Sequence, residues 1–171
     1  MMKMRTRRAL ALAGSAVALS IALSGCSAIT SVFSGDAPRD EETGEVTEES
    51  NISIFQLKLG DCLPADAMSG AEQTDADVVP CDEPHGYEVY HEFELADGEF
   101  PGSDAIQTEV EAQCLPAFGE FVGLSYDEST LDITWYEPTE SSWTEGNDRL
   151  VQCLILDPAG DVEGSLKGAA R

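Results

Sequence analysis

The sequence contains few basic residues. Nine Lys and Arg stand against 33 Asp and Glu, which gives a formal net charge of −24. Nucleic acids and anionic lipid headgroups bind proteins through clusters of positive charge. Beyond residue 8 the basic residues are scattered and form no patch. We therefore expect no nucleic-acid partner, and no attachment to an anionic membrane through the protein surface.

Long hydrophobic runs are also missing. The longest apolar stretch, residues 9–23, is shorter than the roughly 20 residues that a helix needs to cross a bilayer. It follows four basic residues within residues 1–8 and leads into small residues, which is the pattern of a secretory signal. Its end, Leu23-Ser24-Gly25-Cys26, resembles the lipobox of bacterial lipoproteins.

This resemblance implies that residues 1–25 are a signal peptide and that Cys26 carries a diacylglycerol with fatty acyl chains such as palmitate. Several acyl chains anchor a protein far better than one, at about 0.8 kcal/mol per buried CH₂ group. We expect a lipid-anchored protein on the extracytoplasmic face of the cell membrane. A plain secretory signal and a short transmembrane anchor are the alternatives.

Residues 26–52 have the composition of a linker. Residues 27–34 are small and rich in serine, and residues 35–50 contain seven acidic residues against Arg39 alone. Low hydrophobicity combined with high charge does not form a core. We therefore predict a disordered acidic linker over residues 26–52 and one folded head over residues 53–171. A site for a cation or a basic partner is the alternative reading of the acidic run.

The head contains four cysteines, Cys62, Cys81, Cys114 and Cys153. An even number in an exported chain predicts two disulfides, for which three connectivities exist. We favour Cys62–Cys81, which brackets one loop, and Cys114–Cys153. By chain entropy these bonds stabilise the head by about 3 and about 4 kcal/mol. A zinc site is the alternative. The spacing argues against it, because structural zinc sites use C-x₂₋₄-C pairs and the sequence has none.

Established catalytic motifs are absent from the sequence. It has no G-x-S-x-G and no phosphate-binding glycine loop, and Ser165-Leu166-Lys167 is one residue too short for the S-x-x-K of wall-active Ser/Lys enzymes. Paired cysteines would leave no thiol nucleophile. We therefore predict a non-enzymatic protein without metal or cofactor.

The hydrophobic pattern predicts an α+β fold, a small antiparallel sheet with one main helix. Tyr87 to Leu95 alternates as a half-buried strand, with His91 on the apolar face and Tyr90 on the polar one. Ser103 is the predicted N-cap of the helix, with Asp104 in its first turn. The helix ends at Gly123 and should kink or divide at Pro116. Further elements are expected as follows: strands at 53–57, 78–79, 131–136, 149–156 and 162–166, a helical turn at 139–145 that tucks Trp143 inward, and a loop at 68–77.

Three segments together resemble the septum formation domain of actinobacterial envelope proteins. They are Leu59-Gly60-Asp61-Cys62, Val79-Pro80-Cys81-Asp82-Glu83-Pro84-His85 and Glu88-Val89. Later segments agree: Phe100-Pro101-Gly102, Cys114 with Phe118 and Tyr126, Pro138 with Ser142-Trp143, Asp148-Arg149, Cys153 and Gly164-Ser165-Leu166-Lys167-Gly168. The similarity covers residues 53–168. It implies an exported or membrane-attached protein with a role in cell division, and it supplies no catalytic residues.

The dense titratable cluster lies around His85, with Asp82, Glu83, Glu88 and His91 nearby. Imidazole and carboxylates in proximity suit a metal site or a general acid/base pair. The structural interpretation places His91 in the core and lets His85 brace the disulfide loop through a local hydrogen bond. Catalysis at His85 requires an exposed position in a cleft with two carboxylates nearby. Burial on a main-chain carbonyl argues against it.

Aromatic residues offer a second candidate surface. Trp135 and Tyr136 are neighbours on a predicted strand, so their side chains should point to opposite faces. Aromatic side chains favour interfaces, although core packing is their commoner role. The candidate functional surface therefore comprises Trp135 together with His85, Asp82 and Glu83.

These patterns favour a lipid-anchored envelope protein whose disulfide-braced head contacts envelope or divisome proteins, or wall material. Two alternatives remain at this point. One is a wall-active or metal-dependent enzyme that uses the His85 region, and the other is a ligand-sensing head.

Overall fold

The computed structural model describes residues 35–70 and 73–171. The predicted signal, Cys26 and residues 27–34 lie outside the described residues. Within the described ranges, no helix is both long enough and apolar enough to span a membrane.

The central feature is a four-stranded antiparallel sheet in the order β2-β4-β6-β5. Its strands are β2 (Cys62–Leu63), β4 (Tyr87–Glu94), β5 (Asp132–Tyr136) and β6 (Leu150–Leu156). β6 is an internal strand with a run of branched apolar residues and is buried over residues 151–155, as expected for a strand covered on both faces. The predictions of strands at 131–136 and 149–156 are confirmed.

One face of the sheet packs against helix α1 (Ser103–Val122). Ile106, Val110, Phe118 and Val122 recur at helical spacing and are buried, so they form the core with the apolar side chains of β4 and β6. Pro116 does not divide the helix, which continues through it to Val122, so that half of the prediction is wrong. Its first residue is Ser103 and its N-cap is Gly102, one residue earlier than predicted.

The other face of the sheet is covered by a two-stranded antiparallel sheet of β1 (Ser50–Ser53) and β3 (Asp75–Val78). Ile52 and Val78 pack there against Val89 and Leu154 of the main sheet. The predicted strand at 53–57 is instead the end of β1 followed by a 3₁₀ turn, Ile54–Gln56. The predicted loop at 68–77 contains most of β3. The pairing partners of β1 and β3 lie 22 to 28 residues apart, which no local pattern reveals.

The acidic segment before β1 is folded onto this same face. Ala37 and Val46 are buried, and Arg39 binds the buried carboxylate of Asp61 with two bonds of 2.5 and 2.8 Å. The hydrogen bond to Asp61 raises the pKa of Arg39 above its ordinary value. The prediction of a disordered linker up to residue 52 is therefore wrong for residues 36–52, because a bidentate ion pair and two apolar side chains hold them to the head.

β4 differs from its predicted alternation. The pairing of β4 with β6 shifts register between Val89 and His91, so Glu88, Val89 and Tyr90 are buried in succession. Tyr90, predicted on the polar face, packs between the rings of Phe118 and Phe121 and donates a hydrogen bond to the Cys114 carbonyl. His91, predicted in the core, is only half-buried, because the register shift brings Tyr90 into the core beside it.

The segment after β5 follows local signals closely. Helix α2 (Glu140–Glu145) begins after Thr139, whose hydroxyl accepts from the Ser142 N–H. Trp143 is buried and donates to the Gly98 carbonyl, as predicted. The expected return strand at 162–166 is wrong, because residue 162 forms only an isolated bridge with His85. With two antiparallel sheets, one main helix and two disulfides, the predicted α+β fold class is confirmed.

Candidate functional site

His85 is a buried residue at the entry to β4, with 1% of its surface exposed. Its main chain forms a two-way bridge with Val162, through bonds of 2.9 Å in each direction. Nδ1 lies 2.8 Å from the Glu83 carbonyl oxygen, and because a carbonyl only accepts, Nδ1 carries the proton. Nε2 is buried without a hydrogen-bond partner in the described part of the chain. His85 therefore braces its own loop, as the structural interpretation predicted.

Three potential metal ligands meet beside this ring. Atoms of Cys62, His85 and Glu88 lie within 4.8 Å of one another, and all three residues are buried. However, the Cys62 sulfur is bonded to Cys81, so it cannot supply the thiolate that a metal binds. Glu88 is already used as well, because its two oxygens accept from the Ser165 hydroxyl at 2.6 Å and the Leu166 N–H at 2.7 Å.

Asp82 and Glu83 do not join this buried cluster through their side chains. Both residues are exposed, and only the main-chain carbonyl of Glu83 contacts the imidazole. The His91 ring stacks on the Phe93 ring, with the two ring centroids 6.2 Å apart. The condition set for a catalytic His85, exposure in a cleft beside two carboxylates, is not met.

The two disulfides join the elements that carry these residues. Cys62–Cys81 and Cys114–Cys153 form as predicted. The first ties β2 to the loop that leads to His85, and the second ties α1 to β6. Both sulfur-bearing residues of the second bond are fully buried, whereas Cys81 of the first is half-buried.

A groove of about 690 Å³ opens at the other end of the sheet, where β5 ends. Trp135 and Tyr136 contribute from β5, and Phe55 contributes from the 3₁₀ turn after β1. The Trp135 indole N–H donates to the Glu137 carboxylate at 2.7 Å, which fixes the ring. Trp135 packs on the helix side of the sheet and Tyr136 on the opposite side, so the predicted division between faces is correct.

Tyr136 connects the groove to the covering layer. Burial raises the pKa of its hydroxyl to about 12, so the group is protonated at neutral pH. It lies 3.0 Å from the Gln73 amide oxygen and 3.3 Å from the Ala67 carbonyl, both of which accept. These contacts hold the 67–73 segment beside the groove, although residues 71 and 72 lie outside the described ranges.

The charged side chains that line the described groove are all carboxylates. Four line it, and among the described lining residues there is no Lys or Arg; the four are Glu137, Glu140, Glu145 and Asp148. Asp148 is engaged by the Ser142 hydroxyl at 2.9 Å and by the Leu150 N–H at 3.1 Å. Sequence reasoning found Trp135 but missed these carboxylates and Phe55, because their convergence depends on how α2 and the 3₁₀ turn pack.

The structure thus separates the residues predicted as one functional surface. His85 lies at the entry to β4, and Trp135 lies two strands away on β5, the edge strand of the sheet. The first is buried and structural, whereas the second lines an open groove. The groove is therefore the better candidate for a contact surface.

Comparison with protein families gives a match over most of the chain. The sequence profile described as "Septum formation" matches residues 26–162, which is more than half of the chain. No curated protein and no solved structure matches the sequence significantly.

Proposed function

Because the chain belongs to the septum formation family, we propose that it is an exported lipoprotein that acts in cell division through contacts of its head with other envelope proteins or wall material. The family points to division in general. The lipid anchor on Cys26, the non-enzymatic role and the partners are the finer parts of the proposal.

The observation that carries the anchor is the sequence Leu23-Ser24-Gly25-Cys26 after a short apolar stretch. Cleavage before Cys26 would remove four basic residues and no acidic ones, so the formal charge would fall from −24 to −28. Such a body is repelled by anionic lipid. A covalent lipid is then the attachment that a membrane role requires.

The pairing of the four head cysteines supports an extracytoplasmic location, since disulfides persist in oxidising compartments. It also supports a role in binding, because no free thiol remains in the head to act as a nucleophile. The enzyme hypothesis built on His85 has weaker support, since the ring is buried against a main-chain carbonyl. If the head senses a ligand, the ligand would bind in the same groove that is the candidate surface for protein contacts.

The anchor is tested by fractionation and mass spectrometry of cells that express the full chain. We expect a membrane-bound form whose first residue is an acylated Cys26, and we expect the Cys26→Ser variant to lose both the acyl mass and this processing. Ala28→Ser, which changes a neighbouring small residue, is the matched control. An unmodified wild-type chain that begins elsewhere would overturn the lipoprotein proposal.

The division role is tested separately by following the location of the chain in dividing cells. We expect enrichment at the septum, and proximity labelling from the head should recover other division proteins. Enrichment along the lateral envelope only, with no division protein labelled, would contradict the proposed role even if Cys26 is acylated.

A further inference from the structure

The groove lies where one strand of the main sheet stops before its neighbour does. β5 pairs with β6 up to Tyr136 opposite Gln152. Two residues further in the same register, Pro138 would lie opposite Leu150 and would have to form the next pair of main-chain hydrogen bonds. Proline has no N–H and cannot continue the ladder. β6 extends to Leu150 without β5 beside it, and this corner forms the floor of the groove.

The outer edge of β5 can accept a partner strand beside the groove, at Trp135, whereas nearer its start the Ile133 N–H is already bonded within the chain. In the described part of the chain β5 is the last strand of its sheet. The Ile133 N–H is taken by the side chain of Asp132 at 2.8 Å, which marks the main-chain groups of Ile133 as pointing outward. Strand alternation gives Trp135 the same orientation. An unpaired edge of this kind is a template for a strand from another chain.

An exposed apolar side chain belongs to the groove lining. Phe55 is 64% exposed and lines the groove, and Leu59, 57% exposed, is the other large hydrophobic side chain with this degree of exposure in the described chain. Trp135 lies on the same groove, half-buried and fixed by Glu137. Aromatic side chains that are already ordered are the usual anchors of protein interfaces.

The charge of the groove determines what its occupant can be. Its four carboxylates face no basic side chain within the described lining, so an acidic segment would be repelled and a basic one attracted. This excludes the acidic 35–50 segment of another copy of the chain as the natural occupant. It favours a segment with lysine or arginine side chains that reach the carboxylates.

We infer that this groove, formed by Phe55, Trp135 and the carboxylates of Glu137, Glu140 and Glu145, binds an extended segment of a partner protein in which basic and apolar side chains alternate. The segment pairs with the outer edge of β5. Beside Trp135 one of its apolar side chains contacts the indole ring. Beyond Tyr136, where the ladder ends, a second apolar side chain contacts Phe55 and its long basic side chains reach the carboxylates of Glu140 and Glu145. The inference rests on the proposed role of the head in protein contacts, and it adds the place and the chemistry of the contact.

The test uses the full chain in a non-ionic detergent and a fluorescein-labelled peptide of about ten residues, the upper end of common strand lengths, that alternates lysine with valine. Fluorescence anisotropy measures binding, with a micelle-only blank. We expect saturable binding of this peptide and none of its glutamate–valine counterpart. Methylating the peptide nitrogens on one edge should weaken binding at least tenfold, because main-chain pairing is lost.

Matched variants locate the contact. Glu140→Gln with Glu145→Gln should weaken binding about fivefold, whereas Glu109→Gln with Glu120→Gln, equally exposed on α1, should leave it unchanged. Phe55→Ser should weaken it about tenfold, whereas Leu59→Ser should not. Equal weakening by both glutamate pairs would mean unspecific charge attraction and would overturn the proposal.

Two further outcomes separate this proposal from its neighbours. Binding of an uncharged wall glycan fragment that depends on Phe55 but not on the carboxylates would overturn the basic-peptide assignment. The Cys26→Ser chain should bind the peptide as the wild type does, because the groove contains no part of the anchor. Loss of anchoring and loss of groove binding are therefore distinguishable, and failure of one leaves the other standing.

Discussion

At the scale of single residues, Gly86 shows how closely the loop around His85 is packed. Its N–H donates to the Leu63 carbonyl at 2.9 Å. A Cβ at this position would lie 2.5 Å from the Ala65 Cα, which is closer than Cβ atoms approach other atoms in real structures. The obstacle is main chain and cannot rotate away, so glycine is required here for close approach of two backbone segments.

We therefore predict opposite effects for the same substitution at two glycines. Gly86→Ala should lower the free energy of unfolding by about 1–3 kcal/mol, because the backbone must shift. Gly119→Ala should raise it by about 0.5–1 kcal/mol, since Gly119 lies within α1 and, beyond the neighbouring helical main chain, a Cβ there would meet only the Leu124 carbonyl oxygen at 3.9 Å. Urea unfolding followed by circular dichroism measures both. Equal effects would show that the Gly86 contact is not tight.

At the scale of elements, the successful predictions share a local cause. Helix α2 follows from Thr139 as its cap and Gly146 as its end, and both signals lie within one turn of the helix. β6 follows from its run of branched apolar residues. The wrong predictions concern features that depend on distant parts of the chain. The register shift before His91, which buries Tyr90, arises from the pairing of β4 with β6. β1 forms by pairing with β3, for example Ser50 with Val78.

The two disulfides differ in accessibility, and this leads to a prediction. Under native conditions dithiothreitol should open Cys62–Cys81 before Cys114–Cys153, since Cys81 is half-buried while Cys114 and Cys153 are fully buried. Timed alkylation and peptide mapping give the order of opening. Earlier alkylation of Cys114 would show that the buried Cys114–Cys153 bond is the more accessible one, contrary to this prediction.

Stability should rank the same two bonds by loop length. Their partners are separated by 19 and 39 residues. Replacing both cysteines of a bond by alanine should lower the free energy of unfolding by about 3 kcal/mol for the shorter loop and about 4 kcal/mol for the longer one. Denaturant titration of each double variant tests this ranking.

At the scale of the whole molecule, composition predicted the fold class and the disulfides but placed the boundary of the head too late. Averaged over residues 35–50, the acidic run indicates disorder. The average hides Arg39, whose partner Asp61 lies 22 residues away. In the same way, the groove brings together the turn after β1, the end of β5 and α2. No local sequence pattern could therefore predict that its carboxylates lie beside Phe55.

The ion pair between Arg39 and Asp61 should control whether residues 36–50 belong to the head. Arg39→Met leaves the buried Asp61 carboxylate without its cation, so we expect a loss of about 3 kcal/mol in the free energy of unfolding. The amides of Asp40, Gly44 and Thr47, which donate within this segment, should also lose hydrogen-exchange protection. Exchange measured by mass spectrometry checks this.

Lys58→Met is the control for that experiment. Lys58 pairs with Asp36 beside the same segment, but the side chains are 50% and 37% exposed, so the change should cost less than about 1 kcal/mol. Equal costs for the two variants, or exchange that Arg39→Met leaves unaltered, would show that the segment is held by its apolar residues instead.

The docking of this segment also sets a length scale. With the head beginning near Asp36, ten residue steps lead to it from Cys26, and ten steps of extended chain span at most about 36 Å. A chain that became free only at residue 52 would span up to about 90 Å. If Cys26 carries the proposed lipid, this short connection keeps the head close to the bilayer. The proposed partner segment would then have to lie near the membrane surface to be bound, as in membrane proteins with short extracytoplasmic regions.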